Sequence, residues 1–204
     1  MSQITKGIRS ILANPPVYDR FQWLMGGKGD RRDFVDKFIK PVGTDRILDI
    51  GCGTADILQY LPTDVDYYGF DQSEEYIKYA ISKFGDRGDF RCALADSLSL
   101  EELPKMNVVL ATGLIHHLED EEVIQLLKTA LGALVDGGKL VAMDPCYAQG
   151  QNRIAKWLIN RDRGNNVRQQ EAYCEIAQQV FSKVESQVLH RTWVPYTHHI
   201  MVCS

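Results

Sequence analysis

The chain has 204 residues, of which 45% are apolar and 25% charged, and its formal net charge at pH 7 is −4. This length suits one domain with a full hydrophobic core. The acidic balance disfavours a general nucleic-acid binder, because such proteins are usually basic.

The cysteines and the apolar runs indicate where the protein works. Five cysteines are widely spaced, and no C-x-x-C pair occurs, which is typical of free thiols in a reducing compartment. No apolar run approaches the roughly 20 residues that a membrane helix needs. Residues 1–16 hold too short an apolar core for a secretory signal. We therefore expect a cytoplasmic protein without a membrane span.

The first 40 residues have a helical pattern that is broken twice. Pro15 and Pro16 disfavour helix at and before them, and the glycines of residues 26–29 make a second, flexible break. An alternation of strands and helices follows. Strands are predicted over residues 46–50, 66–70, 89–95, 107–111 and 139–144. Helices are predicted over 54–61, after the N-cap Ser73, and over 119–135, with Asp136-Gly137-Gly138 as the helix stop.

The end of the chain departs from this alternation. Residues 183–191 and 196–203 read as strands with only four residues between them. A parallel crossover needs a dozen residues or so, so these two strands should form an antiparallel hairpin. An insert over about residues 147–181, predicted to hold two helices, precedes the hairpin. The alternating part predicts an α/β fold with a mostly parallel sheet and helices on both faces.

A glycine-rich loop, DIGCGTAD at residues 49–56, follows the first strand and opens a helix. Asp71 lies about 20 residues beyond Gly51, the spacing at which a carboxylate binds ribose hydroxyls. A dinucleotide loop would have glycine where Asp56 stands, and a carboxylate there would repel a pyrophosphate. Asp56 fits better as a favourable charge in the first turn of the helix. The loop therefore favours a nucleoside that carries a positive charge.

Five motifs in chain order carry a family resemblance: ILDIGCGTADIL, YYGFDQS, LADSLSL, LATGLIHHL and LVDGGKLVAMDP. Together they resemble class I S-adenosylmethionine-dependent methyltransferases over about residues 42–145, and are most similar to the bacterial small-molecule branch. The resemblance implies a three-layer α/β/α, Rossmann-like fold. Its sheet would be seven-stranded and mostly parallel, with a C-terminal antiparallel hairpin. The implied cofactor is S-adenosylmethionine, the product S-adenosylhomocysteine, and no metal is expected.

The resemblance also implies which residues contact the cofactor. It assigns the methionine end, the ribose and the adenine to the ends of successive strands. The implied set is Asp49, Gly51, Cys52, Gly53, Thr112 and Gly113 for the methionine end, Asp71 for the ribose, and Gln72, Asp96 and Ser97 for the adenine. Each carboxylate has a structural alternative: Asp49 could brace the loop, Asp71 could be a turn aspartate, and Asp96 a loop carboxylate. The family usually has glycine where Ala55 stands.

His116 and His117 are the candidate catalytic residues. They follow the fourth strand, at the edge where ligands of such sheets bind. Methyl transfer needs a base only when the acceptor must lose a proton, and histidine is the usual base near neutral pH. Adjacent side chains point in different directions, so we expect at most one to face the site, and the sequence does not choose between them. As a metal pair they lack a third ligand.

The candidate substrate residues come from three segments. Asp144 ends the predicted fifth strand and Tyr147 follows it. Tyr18 lies in the N-terminal segment, which could form a lid like those of the resembled family or simply pack against the sheet. The insert carries Arg153, Lys156, Arg161, Arg163 and Arg168 against one acid, Asp162. Arginines suit a carboxylate or phosphate, so Arg161 and Arg163 are candidates for an anionic substrate. The alternative is a solvated helix face.

We expect a single domain over residues 1–204. It comprises an N-terminal helical lid (1–40), a cofactor-binding core (42–145), a substrate-side helical insert (147–181) and a terminal β-hairpin (183–204). The expected reaction is methyl transfer to O, N or C of a small molecule, either anionic or neutral, by a monomer or a homodimer. The alternatives are an RNA or protein methyltransferase, and a non-catalytic module that binds S-adenosylmethionine.

Overall fold

The computed structural model describes residues 31–161, 164, 166–191 and 196–204. The strands within these ranges are β1 (Arg46–Ile50), β2 (Asp66–Asp71), β3 (Asp89–Cys92), β4 (Met106–Thr112), β5 (Leu134–Tyr147), β6 (Arg168–Gln169), β7 (Val184–Arg191) and β8 (Tyr196–Cys203). The α-helices are α1 (Glu74–Phe84), α2 (Ser97–Leu100), α3 (Asp120–Ala133), α4 (Arg153–Ile159) and α5 (Gln170–Ala177). Short 3-10 helices occur at Asp56–Gln59, Gly85–Arg87 and Ile115–His117, and a π-helical segment at Val35–Ile39.

The sheet has the strand order β3-β2-β1-β4-β5-β8-β7. Strands β1 to β5 run parallel to their neighbours, whereas β8 runs antiparallel to both β5 and β7. The two-residue strand β6 pairs with the end of β5 outside this path. The predicted seven-stranded, mostly parallel sheet with a C-terminal antiparallel hairpin is therefore confirmed.

Two hydrophobic cores cover the two faces of the sheet. Successive residues of a strand point to opposite faces, so Ile47 lies in one core and Leu48 in the other. The first core packs the segment around Ile39 against the sheet, and the second packs Leu127 of α3 and Tyr173 of α5. This arrangement is the predicted three-layer α/β/α architecture.

Two element boundaries differ from the sequence prediction for reasons of backbone geometry. The helix predicted over 54–61 is only the 3-10 helix Asp56–Gln59, because Ala55 before it adopts a left-handed conformation with φ 54°. Helix α3 ends at Ala133, so Asp136-Gly137-Gly138 does not stop it. Strand β5 begins at once, with Leu134 paired to Met106, and the register then shifts in the sheet beside Gly137 at φ 75°.

The other predicted elements occur near their expected positions, and one strand is shorter than predicted. The insert holds the two predicted helices, α4 and α5, and strand β3 ends at Cys92, three residues earlier than predicted. Of the predicted N-terminal helices, residues 1–30 lie outside the described residues, and residues 31–39 are helical. Within the described ranges, no helix is long and apolar enough to cross a membrane.

Candidate functional site

The strand order reverses between β1 and β4, which are direct neighbours in the centre of the sheet. In open α/β sheets, ligands bind beside this reversal, outside the carboxyl ends of the strands. The loops that leave β1 and β4 carry the two sets of residues that the sequence singled out, the glycine loop and the two histidines. The fold therefore brings both sets to one edge.

The glycine loop is held open by backbone hydrogen bonds. The N–H groups of Gly51 and Cys52 donate to the Phe70 carbonyl at 2.8 and 2.9 Å, which ties the loop to β2. Gly51 and Gly53 have φ of 73° and 54°, a left-handed conformation that glycine adopts without strain. A Cβ on Gly53 would meet no atom of the described residues within 4 Å. The loop thus presents bare backbone to open space.

Asp49, near the end of β1, is a buried carboxylate with one oxygen satisfied. Its Oδ2 accepts a hydrogen bond from the Tyr67 hydroxyl at 2.7 Å, and its Oδ1 is buried without a hydrogen-bond partner among the described residues. Burial raises the pKa of Asp49 to about 6, and the hydrogen bond from Tyr67 partly opposes this. A buried carboxylate oxygen beside a glycine loop suits an ammonium group. Sequence reasoning missed Tyr67, although it lies on the strand next to Asp49.

Gly69 makes room for this arrangement. It pairs with Asp49 across β1 and β2, and a Cβ on it would lie 3.0 Å from both the Cys52 sulfur and the Tyr67 ring. Burial is the main cause that raises the pKa of the Cys52 thiol, so the thiol stays protonated. Cys52 therefore packs behind the loop as a neutral side chain.

Asp71, the last residue of β2, links the glycine loop to the start of α1. Its two carboxylate oxygens accept hydrogen bonds from the N–H groups of Gly53 at 2.9 Å and Ser73 at 2.8 Å. Burial raises the pKa of Asp71, and these N–H donors oppose that effect. The side chain is only half-buried and the adjacent Gln72 is exposed. Both side chains are accessible at the same edge as the glycine loop.

Asp96 has a structural function. It is the N-cap of α2: its Oδ1 accepts from the Ser99 N–H at 2.8 Å, while the Ser99 hydroxyl oxygen accepts from the Asp96 N–H at 2.9 Å. These hydrogen bonds lower the pKa of Asp96. Asp96 therefore has the structural function that the sequence analysis gave as an alternative. A contact with adenine would use the other carboxylate oxygen, Oδ2, because Oδ1 caps the helix. Ser97 begins α2.

Thr112 and Gly113 end β4 beside the glycine loop. Gly113 has φ 66°, and its N–H donates to the Met143 carbonyl of β5 at 2.8 Å. A Cβ on Gly113 would meet no atom of the described residues within 4 Å. Gly113 and Gly53 are therefore two left-handed glycines that border open space on neighbouring loops.

His116 and Asp144 form a buried pair. His116 lies in the 3-10 helix Ile115–His117, the histidine turn, and Asp144 lies on β5. The imidazole Nδ1 is 2.7 Å from Asp144 Oδ1, which also accepts the His116 backbone N–H at 3.1 Å. Asp144 Oδ2 is buried without a hydrogen-bond partner among the described residues. Burial raises the pKa of Asp144, and the hydrogen bonds from His116 oppose it.

The two adjacent histidines differ in environment. The side chain of His116 is 5% exposed, whereas His117 is exposed and its ring lies 4.0 Å from the His116 ring, centroid to centroid. His116 is paired with a buried carboxylate, Asp144. The sequence analysis predicted Asp144 and His116 as separate candidates, and no sequence pattern indicated that they pair. No group of three or more metal-ligating side chains occurs in the described ranges.

The substrate candidates are placed unevenly. The Tyr147 hydroxyl donates to Asn160 Oδ1 at 2.8 Å, which joins the end of β5 to the end of α4. Arg161 is exposed, and the Cζ atom of its guanidinium lies 3.9 Å from the centroid of the Trp157 ring. Tyr18 and Arg163 lie outside the described residues.

Two charged residues that the sequence analysis discussed have structural partners. Arg168 does not belong to a solvated basic face, because it binds Asp120 and the carbonyl oxygens of Ile115 and Leu118. Asp56 pairs with Arg31 at 3.0 Å and Lys83 at 2.8 Å. Asp56 lies in the first turn of its helix, as the sequence predicted, and these ion pairs neutralise its charge.

Comparison with known proteins gives a matching family model and several structures of the same fold. Residues 48–140 match the family model described as a methyltransferase domain. No curated protein is significantly similar in sequence. Among solved structures, the pyocyanin biosynthetic protein PhzM is 15% identical with a TM-score of 0.72, over 98% of this chain and 62% of that one. The chain thus spans about three fifths of PhzM and of the methyltransferase SibL.

Two further structures have the same fold. The plantazolicin methyltransferase BamL, solved with a triazolic desmethylPZN analog and SAH (S-adenosylhomocysteine), is 14% identical with a TM-score of 0.67, over 98% of this chain and 92% of that one. The mitomycin 7-O-methyltransferase MmcR is 14% identical with a TM-score of 0.66, over 93% and 58%. At these identities the likeness establishes the fold alone.

Proposed function

We propose that this chain, a class I S-adenosylmethionine-dependent methyltransferase, transfers the methyl group to a hydroxyl oxygen of a small molecule. The observation that carries the choice of oxygen is the buried His116–Asp144 pair. A hydroxyl acceptor must lose a proton during transfer, and a histidine oriented by a carboxylate is suited to take it. The neighbour MmcR is named as an O-methyltransferase, which supports the same choice.

The glycine loop and its surroundings fit the cofactor. We assign its ammonium group to Asp49 Oδ1, which is buried and has no partner among the described residues. The open positions at Gly53 and Gly113 leave room for the methionine portion. We assign the ribose hydroxyls to the half-buried Asp71, because its carboxylate keeps lone pairs beyond the two N–H bonds. Gln72 and Asp96 follow on the adenine side.

His116 acts as the base in this account. Its Nδ1–H donates to Asp144 Oδ1, which fixes the tautomer in which Nε2 carries the lone pair. Asp144 already accepts the His116 backbone N–H, so ring and backbone are held by one carboxylate oxygen. The negative charge of Asp144 would stabilise the imidazolium that forms when Nε2 takes a proton.

Bound S-adenosylmethionine supplies a methyl carbon on a sulfonium, and its transfer leaves S-adenosylhomocysteine. Nε2 of His116 would accept the proton that the acceptor hydroxyl loses when it takes up the methyl group. The charge balances, because the positive charge lost at sulfur is gained by the imidazole. Because the methyl group is already activated, much of the rate comes from holding the acceptor in line.

The substrate would enter from the side of the insert. Tyr147 and Asn160 connect the end of β5 to α4, and Arg161 follows at the end of that helix. Arginine recognises carboxylates and phosphates. We therefore propose that the acceptor carries an anionic group and that Arg161 and Arg163 bind this group.

Label transfer tests the proposed function. The purified protein is incubated with S-adenosylmethionine labelled at the methyl group and with small-molecule and macromolecular fractions of a cell extract. The proposal predicts label in the small-molecule fraction and an O-methyl group in the product by mass spectrometry. Label in RNA or protein would instead support a macromolecule methyltransferase. If the protein binds the cofactor but transfers no label to any fraction of extracts from several sources, a non-catalytic binding module would be supported.

A further inference from the structure

The second half of the insert is fastened onto the histidine turn. Three described residues, Gly164, Asn166 and Arg168, make the contacts, and we call them the clamp. The Asn166 N–H donates to the carbonyl oxygen of His116 itself at 3.0 Å. The Asn166 side chain donates to Glu119 Oε1 at 3.1 Å, just beyond the turn. The clamp therefore joins the substrate-side insert to the residue that carries the imidazole.

Gly164 lies directly against the His116 side chain. A Cβ on Gly164 would overlap the Cδ2 atom of the imidazole and would also lie 2.6 Å from the His116 carbonyl oxygen. Both atoms belong to a buried residue whose ring is already hydrogen-bonded to Asp144. A side chain at position 164 would therefore displace the His116 ring, the His116 carbonyl oxygen or the backbone of Gly164 itself.

Arg168 fastens the other end of the clamp. Its guanidinium donates to the carbonyl oxygens of Ile115 at 3.3 Å and Leu118 at 2.8 Å, on both sides of His116. It also donates twice to Asp120 Oδ1, at 2.9 and 2.6 Å. The Arg168 side chain is only 10% exposed. A planar guanidinium can bind several acceptors in fixed directions, whereas a lysine ammonium cannot reproduce this fork.

We infer that Gly164 and Arg168 are positioning residues that set the orientation of the His116 imidazole toward Asp144. The clamp touches His116 and its turn at separate points: Gly164 lies against the ring, Asn166 binds the carbonyl oxygen, and Arg168 binds the carbonyl oxygens of Ile115 and Leu118. Because these residues belong to the insert that carries Tyr147's partner Asn160 and Arg161, substrate recognition and the base are parts of one connected unit.

The inference rests on the proposed role of His116 as the base, so the test uses a measurement that needs no acceptor. Proton NMR of the full chain, saturated with S-adenosylhomocysteine, reports the His116 Nδ1 proton that is hydrogen-bonded to Asp144. The resonance is identified by its loss in His116→Gln. Gly164→Ala and Arg168→Lys test the clamp. Arg153→Lys, the same change at an exposed arginine of the insert, is the matched control.

The clamp predicts that the resonance is retained in Arg153→Lys, lost in Gly164→Ala and broadened in Arg168→Lys, with cooperative unfolding kept. Label transfer by the two clamp variants should fall between about 10- and 100-fold, as expected for a displaced catalytic group. Asp120→Asn changes an exposed side chain and should broaden the resonance as well. If Gly164→Ala does not fold, Asp120→Asn and Arg168→Lys together test the clamp.

An unchanged His116 resonance in the folded clamp variants would overturn the inference. The proposed function fails differently: His116→Gln would then transfer label as fast as the unaltered protein. The two failures are therefore distinguishable from the same set of variants.

Discussion

The side chains of His116, in the histidine turn after β4, and Asp144, on β5, meet through a 2.7 Å hydrogen bond between Nδ1 and Oδ1. His116 follows β4 and Asp144 belongs to β5, so the parallel pairing of these strands brings together residues 28 positions apart. Both side chains are almost completely buried. A histidine paired in this way is oriented and kept in one tautomer, which is what a general base requires.

Asp144→Asn should slow methyl transfer without weakening cofactor binding. The asparagine amide can donate to Nδ1, which would move the proton to Nε2 and leave the base unable to accept one. We expect the transfer rate to fall by about 10- to 100-fold, part of the ~10²–10⁴-fold that a positioned base supplies. Initial rates of label transfer measure this. Asp136→Asn, at an exposed position of the same strand, should transfer at the original rate, and an equally fast Asp144→Asn would contradict the account.

Asp49→Asn should stabilise the cofactor-free protein and weaken cofactor binding. Burial raises the pKa of Asp49 from 3.8 to about 6, so its charge at pH 7 costs up to about 3 kcal/mol of folding free energy. The amide removes that charge and can still accept from Tyr67. Chemical denaturation measures the gain, and titration calorimetry with S-adenosylhomocysteine measures the affinity. The exposed Asp33→Asn is the control; a destabilised Asp49→Asn that binds normally would refute the assignment.

Cofactor affinity should depend on pH through Asp49. Its pKa is higher in the folded protein, so protonation stabilises the cofactor-free fold, and this stability is lost as pH rises through about 6. An ammonium ligand requires the charged carboxylate. Binding of S-adenosylhomocysteine should therefore weaken as pH falls below about 6, by at most about tenfold per pH unit. Titrations of Asp49→Asn should show a flatter profile, and identical profiles for both proteins would exclude Asp49 as the titrating group.

Arg161→Gln should weaken binding of an anionic acceptor. A charge-assisted hydrogen bond contributes about 1.5–3 kcal/mol, so we expect the KM for the acceptor to rise by about tenfold or more while kcat changes little. The KM for S-adenosylmethionine should stay constant. Lys156→Gln, another exposed cation of the insert, is the control. Arg163→Gln is measured alongside, and acceptor affinity that both arginine variants retain would remove the anionic group from the proposal.

The fold could be predicted from local pattern because each strand and turn is encoded within a few residues. The alternation of strands with helices and the four-residue gap before β8 fixed both the parallel part and the hairpin. The end of helix α3 was harder to predict, because the pairing of Leu134 with Met106 is a long-range contact that overrides the glycine stop signal. Ala55 likewise takes a left-handed conformation that its sequence does not announce.

The site could be predicted only in part. Residues that belong to a sequence motif, such as Gly53 and Asp71, can be predicted from the spacing of the motifs. Pairs that form across the sheet, such as Asp49 with Tyr67, depend on strand register, which single-sequence patterns do not report. The same limit applies to Arg168, which looked like a surface cation until the fold placed it beside the histidine turn.

The most direct test compares His116→Gln with His117→Gln in label transfer to the small-molecule fraction. The two histidines are adjacent and chemically identical, but only His116 is buried against Asp144. We expect His116→Gln to lower the initial rate by about 10²–10⁴-fold, while His117→Gln stays within about twofold and both variants bind S-adenosylhomocysteine normally. Transfer that persists in His116→Gln at the original rate would exclude His116 as the base.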